Sequence, residues 1–192
     1  MKTTLFSLFL LSMFTLTSCS ESPKPKESTE VANDQNDAKM KDHDMAKDAD
    51  WMVKIADGNM LEIELGKLAE KNGKMKEVKD FGKMMVEHHT KLGEECKGLA
   101  AKKNVTLPAA LGDDTHKIME KLSNLAGHDF DKEYISVMID DHEKDIKEFE
   151  SKAEEIDADA DLKAWVTASL PILRSHLTEI KAINEKCKMM KK

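Results

Sequence analysis

The chain has 192 residues and a net charge of −7, with 35% charged and only 5% aromatic residues. Arginine occurs once, at Arg174, and no run of basic residues stands out, which excludes a nucleic-acid-binding surface. Gly and Pro are scarce (8 and 4) while Ala, Glu, Lys and Leu are frequent, a composition that favours helix and fits one domain with extensions.

Residues 1–18 read as an export signal: Met1-Lys2 is a positive start, and Leu5 to Leu16 is an apolar stretch too short to span a bilayer. Leu16-Thr17-Ser18-Cys19 resembles a bacterial lipobox, in which Cys19 takes a diacylglyceryl group and becomes the mature N-terminus. Acyl chains on Cys19 predict a membrane partner without any spanning segment. Ser20 stands where an aspartate would retain a lipoprotein in the inner membrane, which points to the outer membrane with the domain facing the periplasm. Residues 19–49 then form the tether. Glu21 to Ala49 has almost no apolar content and predicts a disordered spacer. Its run Met40-Lys-Asp-His43-Asp-Met45 combines thioether and imidazole, a set suited to Cu(I), but reads better as solvated linker.

The domain is expected over residues 50–188, with 189–192 as a tail. Asp48 or Asp50 can cap a first helix from about Trp51 to Lys71, ended by Asn72-Gly73. Its apolar face reads Trp51, Ile55, Gly58, Glu62, Leu65, Ala69, spaced alternately by four and three as one helical face requires. A second helix, from about Lys74 to Lys103, carries Val78, Gly82, Met85, His89, Leu92, Cys96 and Leu99 in the same rhythm. Asn104 to Pro108 breaks the pattern. Asp113-Asp114 can start a short helix to Leu125, which Gly127 ends. The third long helix, Asp129 to Ile156, presents Ile135, Ile139, His142, Ile146, Phe149, Ala153 and Ile156. The fourth, Leu162 to Cys187, presents Leu162, Val166, Ser169, Leu173, His176, Ile180, Ile183 and Cys187, and Pro171 inside it predicts a kink. The connection between the second and third long helices is far longer than antiparallel neighbours need, which argues for a crossover. The expected fold is all-α: a ferritin-like four-helix bundle whose crossover carries a short extra helix.

Glu62, His89, His142 and His176 each interrupt an apolar face near the middle of a helix, so they meet at one level whichever way the helices run. A buried carboxylate needs pairing or coordination, and three imidazoles suit copper, zinc, iron or nickel. Asp141 and Glu64 are candidates to hydrogen-bond the imidazoles from behind. His88 fits an alternative face of the second helix, with Phe81, Met85 and Leu92, so periodicity does not choose between His88 and His89. The competing reading is a metal-free hydrogen-bonded layer that sets helix register in a structural or interaction protein. No Glu-x-x-His occurs, which excludes the carboxylate-bridged di-iron pattern, and no phosphate loop or Gly-x-Ser-x-Gly element occurs either. Nothing in the sequence supplies an open coordination position or substrate pocket, so no catalytic residue is expected. His43, His116 and His128 fall in the tether or connector and are expected to be solvated.

Cys96 lies beyond His89, and Cys187 beyond His176, by numbers of residues that a crossover topology converts into a separation of roughly 27 Å, out of disulfide reach.

The segments Glu62-Ile-Glu-Leu-Gly-Lys-Leu-Ala69, Met85-Val-Glu-His-His-Thr90, Phe130-Asp-Lys-Glu-Tyr134, Met138-Ile-Asp-Asp-His142 and Leu170-Pro-Ile-Leu-Arg-Ser-His176-Leu resemble the bacterial family catalogued as domain of unknown function 4142. The resemblance spans about Trp51 to Asn184. It implies an exported, ferritin-like helical domain of an outer-membrane protein, and maps the family's Glu, His, His, His positions onto Glu62, His89, His142 and His176. His88 stands where the family commonly has aspartate. The resemblance implies no activity. The expectation is an envelope lipoprotein that binds a transition metal at these four residues for storage, buffering or envelope stress. Neighbouring methionines lean toward copper, and zinc and iron stay open.

Overall fold

The computed structural model describes residues 27–189; residues 1–26, which hold the expected export signal and Cys19, and residues 190–192 lie outside the described residues. The order is α1 (Ser28–Lys39), α2 (His43–Asn72), α3 (Lys76–Lys102), α4 (Asp113–Ser123), α5 (Gly127–Glu154) and α6 (Ala160–Met189). The protein is all-α; among the described residues there is no strand, only a single bridge between Gly73 and Gly127. No described helix is long and apolar enough to cross a membrane.

Periodicity places the core. Every residue expected on the apolar faces of α3 and α6 is buried. On α5 the burial follows Phe130, Tyr134, Met138 and His142, spaced by four, while Ile139 and Ile146 are only partly covered. Ile156 lies beyond the end of α5 and is 90% exposed. α6 runs on through Pro171, which faces solvent, so water can reach the Thr167 carbonyl that the proline leaves without a donor.

The buried apolar residues form two clusters, each fed by all four long helices. One joins Leu61, Leu65 and Ala69 of α2 with Val78, Phe81 and Met85 of α3, Phe130 to Met138 of α5, and Ile180 to Cys187 of α6. The other joins Met52 and Ile55 with Leu92 to Ala100, Phe149, and Leu162 to Leu173. The order of residues within each cluster fixes direction: α2 and α6 run one way, α3 and α5 the other. The long connector therefore returns the chain to the end where α3 began. Cys96 and Cys187 lie in different clusters, at opposite ends, and both are free thiols. α2 and α3 approach most closely at two glycines: a Cβ on either Gly66 or Gly82 would stand 2.7 Å from the other's carbonyl oxygen.

The expected disordered tether is helical from residue 28. α1 forms there, and α2 starts at His43 rather than Trp51, capped by the Asp42 carboxylate accepting from the Asp44 and Met45 amides. Polar bonds hold α1. Asn36, 1% exposed, donates to the Thr106 carbonyl at 2.9 Å and accepts from the Thr106 amide at 2.7 Å. The Ser28 hydroxyl accepts from the Ala109 and Ala110 amides. A hydropathy reading misses a helix whose anchors are amide, hydroxyl and carboxylate.

Candidate metal centre

Between the two apolar clusters the four long helices bring together Glu62, His89, His142 and His176, each no more than 2% exposed. His142 Nε2 stands 3.2 Å from His176 Nδ1, and His89 Nε2 stands 3.4 Å from the same atom. One nitrogen from each ring lies within 4.8 Å of the others. Nitrogens bound to a tetrahedral ion at about 2.0–2.1 Å stand roughly 3.3–3.4 Å apart. The rings are thus spaced as ligands of one ion would be.

The outward nitrogens are occupied. His89 Nδ1 lies 2.8 Å from Glu62 Oε2 and 3.1 Å from Asn59 Oδ1. His142 Nδ1 lies 2.9 Å from the Met138 carbonyl, one turn earlier on α5, and so donates its hydrogen there. His176 Nε2 lies 2.8 Å from His88 Nδ1. Acceptors on the Nδ1 atoms of His89 and His142 fix the tautomers that leave both Nε2 lone pairs pointing inward. The one hydrogen that His176 Nδ1 can carry serves only one of those lone pairs. A cation serves all three nitrogens, with His176 then donating from Nε2 to His88.

Burial sets the charge states. Desolvation lowers His89 to about 4 and His142 to about 3, the latter also through His89. Desolvation and then the neighbouring histidines bring His176 to about 2. All three rings are neutral near pH 7, the form a metal accepts. Desolvation, followed by repulsion from Asp141, raises Glu62 well above the usual carboxylate range. With both partners pushed toward neutrality, the His89–Glu62 contact is a hydrogen bond donated by the imidazole.

The profile of one protein family, described as "Domain of unknown function (DUF4142)", matches residues 29–183. The chain belongs to the DUF4142 family. Comparison with the curated proteins and with the solved structures finds no match. The match begins inside α1, so the family's domain includes that helix and not only the four long ones.

This DUF4142 domain brings further groups to the layer. His88, half-buried, reaches it through His176, so both members of the His88–His89 pair take part. Asp141 and Asp145 place carboxylate oxygens within 4.8 Å of a Glu62 oxygen. Desolvation, then Glu62 and Asp141, pushes Asp145 up to about 9. Asn59, Asp145 and His88 sit at three- or four-residue steps from layer positions or beside them, and that spacing was the available signal. Glu64 is not at the site: it pairs with Lys67 at 2.6 Å on the surface. His43, His116 and His128 are exposed, as is Met45 beside His43, so the Met40–Met45 run gathers no site. The thiol of Cys96 is pushed up to about 11 by burial and stays protonated. A cavity of about 190 Å³ runs past Ile55, Leu92, Phe149 and Trp165 to a polar end formed by Asn59, Glu62, His89 and Asp145. The cavity thus borders the layer on the side of Glu62 and His89.

Proposed function

We propose that this protein is a cell-envelope lipoprotein, anchored through Cys19 to the outer membrane, whose ferritin-like bundle holds a transition-metal ion. His89, His142 and His176 are the ligands, and Glu62 orients His89 and balances charge. The observation that carries this reading is the spacing of the three inward nitrogens, at 3.2 and 3.4 Å about His176 Nδ1, with every outward nitrogen in a hydrogen bond. Neutral imidazoles suit zinc, copper and iron alike. A site enclosed by four helices fits storage or buffering of the ion, with the cavity beside His89 as its entry.

Elemental analysis of the purified full-length protein, made without a histidine tag and reloaded after chelation, tests this. The expected result is close to one equivalent of zinc or copper at the imidazoles, lost in His142→Ala and His176→Ala. Wild-type protein that takes up neither metal above background, with unchanged thermal stability, would show the layer to be a metal-free register device and direct attention to a protein partner.

A further inference from the structure

An imidazole site leaves the acidic side of the layer unexplained. Glu62, Asp141 and Asp145 each bring a carboxylate oxygen within 4.8 Å of the others. Glu62 is 1% exposed and the two aspartates are half-buried. Among the described residues the ion-pair contacts of Glu62 are to His89 and His142, and no lysine or arginine lies within 4.0 Å of any of the three carboxylates. Like charges packed at this spacing away from water repel strongly unless a cation or protons intervene.

Two further observations point to a ligand. Glu62 Oε1 and Asp141 Oδ2 are shut off from solvent and find no hydrogen-bond partner among the described residues. The hydroxyl of Tyr134, fully buried on α5 two turns before Asp141, is likewise without one. Buried polar atoms left open in this way mark the place of an ion or water. The cavity supplies the second observation: it reaches Glu62 and Asp145 directly, and its 190 Å³ is many times what one water needs.

We propose that Glu62, Asp141 and Asp145 form a second cation position, for a hard, oxygen-preferring divalent ion, joined to the imidazole site through Glu62. Oxygen donors held about 2.0–2.6 Å from one ion stand roughly 3–5 Å apart, a range that contains this trio. Waters drawn from the cavity complete its coordination. The two positions sort ions by hardness: imidazole nitrogen takes the transition metal, carboxylate oxygen takes manganese, magnesium or calcium. Glu62 serves both: its Oε2 lies 2.8 Å from His89 Nδ1, and it brings a carboxylate oxygen within 4.8 Å of those of the aspartates. Asp141 and Asp145 stand four residues apart, one turn, on α5, and Glu62 faces them from α2.

The test uses Mn²⁺ on the chelator-treated full-length protein, followed by loss of the aqueous Mn²⁺ paramagnetic resonance signal. About one equivalent is expected in the wild type and in His176→Ala, with at least tenfold weaker binding in both Asp141→Asn and Asp145→Asn. These asparagines keep the side-chain shape and remove buried charge, and circular dichroism checks that both variants fold. Absence of Mn²⁺ binding in the wild type, or binding unchanged in the two asparagine variants, overturns the second position. Zinc uptake in Asp145→Asn is measured in parallel. A protein that takes zinc but no Mn²⁺ keeps the imidazole site and loses this one, and the reverse outcome does the opposite.

Discussion

A buried imidazole is useful to a metal only if it is neutral and its spare nitrogen is turned inward; burial keeps all three rings of this layer neutral, and a partner on Nδ1 turns the Nε2 of His89 and of His142 inward. For His89 that partner is Glu62, at 2.8 Å. Glu62→Gln keeps an acceptor in the same place but removes the charge, so zinc should still bind at the imidazoles with affinity lowered about 10–100-fold. Competition against a chromogenic chelator reads that shift, and unchanged affinity would remove Glu62 from the site. Burial of the acids gives a second expectation at this scale, for the metal-free protein. Asp145 has its folded value raised from 3.8 to about 9, so its contribution to stability is complete below 3.8 and is lost as pH rises through 9. Glu62 is shifted in the same direction. The histidines are shifted down, so their contribution is complete above 6.5 and is lost only as pH falls toward 4 and below. Between pH 6.5 and 9 the histidine contribution is constant, and stability should fall with rising pH. Thermal melts across that window should show the fall in wild type and a shallower one in Asp145→Asn.

Helices α2 and α3 are joined by a turn with its own support from a distant element. Asp131, on α5 and 0% exposed, accepts from the Lys74 amide at 2.8 Å and the Met75 amide at 3.0 Å. It caps the start of α3, whose own preceding residue, Met75, has no side chain able to do so. Asp131→Ala leaves those amides without a partner, one of them buried, and should cost about 1–3 kcal/mol. Urea denaturation measures that cost, and a variant as stable as wild type would show that water replaces the carboxylate. The same contact shows what the sequence could tell. The faces of α3 and α6 were legible because Val78, Met85, Leu92 and Leu99, or Leu162, Val166, Leu173 and Ile180, repeat at helical spacing. Glu62, His89, His142 and His176 were legible as polar breaks in those repeats. Asp131, like Asn36 of α1, acts on backbone far away in the chain, and a polar residue with a remote partner looks in sequence like any surface residue. Asn59 and Asp145 were hidden because they flank the apolar faces, where polar residues are ordinary, whereas His88 already stood beside His89 as a candidate.

At the scale of the whole molecule, the layer is the level at which all four long helices meet between two separate apolar clusters. A ligand held by His89, His142 and His176 therefore ties α3, α5 and α6 together, and Glu62 brings in α2. Its binding energy is lost only when the assembly opens, since the unfolded chain does not hold these nitrogens at ligand spacing. Free metal at 100 times its dissociation constant should then stabilise the fold by about 2.7 kcal/mol. For a domain of this size that corresponds to a rise in Tm of about 5–10 °C. The rise should occur as a single transition, because both clusters share the helices that the ion joins, and His176→Ala should abolish it while leaving the metal-free Tm within a few degrees. Differential scanning calorimetry with and without zinc distinguishes the outcomes. A rise confined to one of two resolved transitions would mean that the clusters unfold independently and that the layer belongs to only one of them.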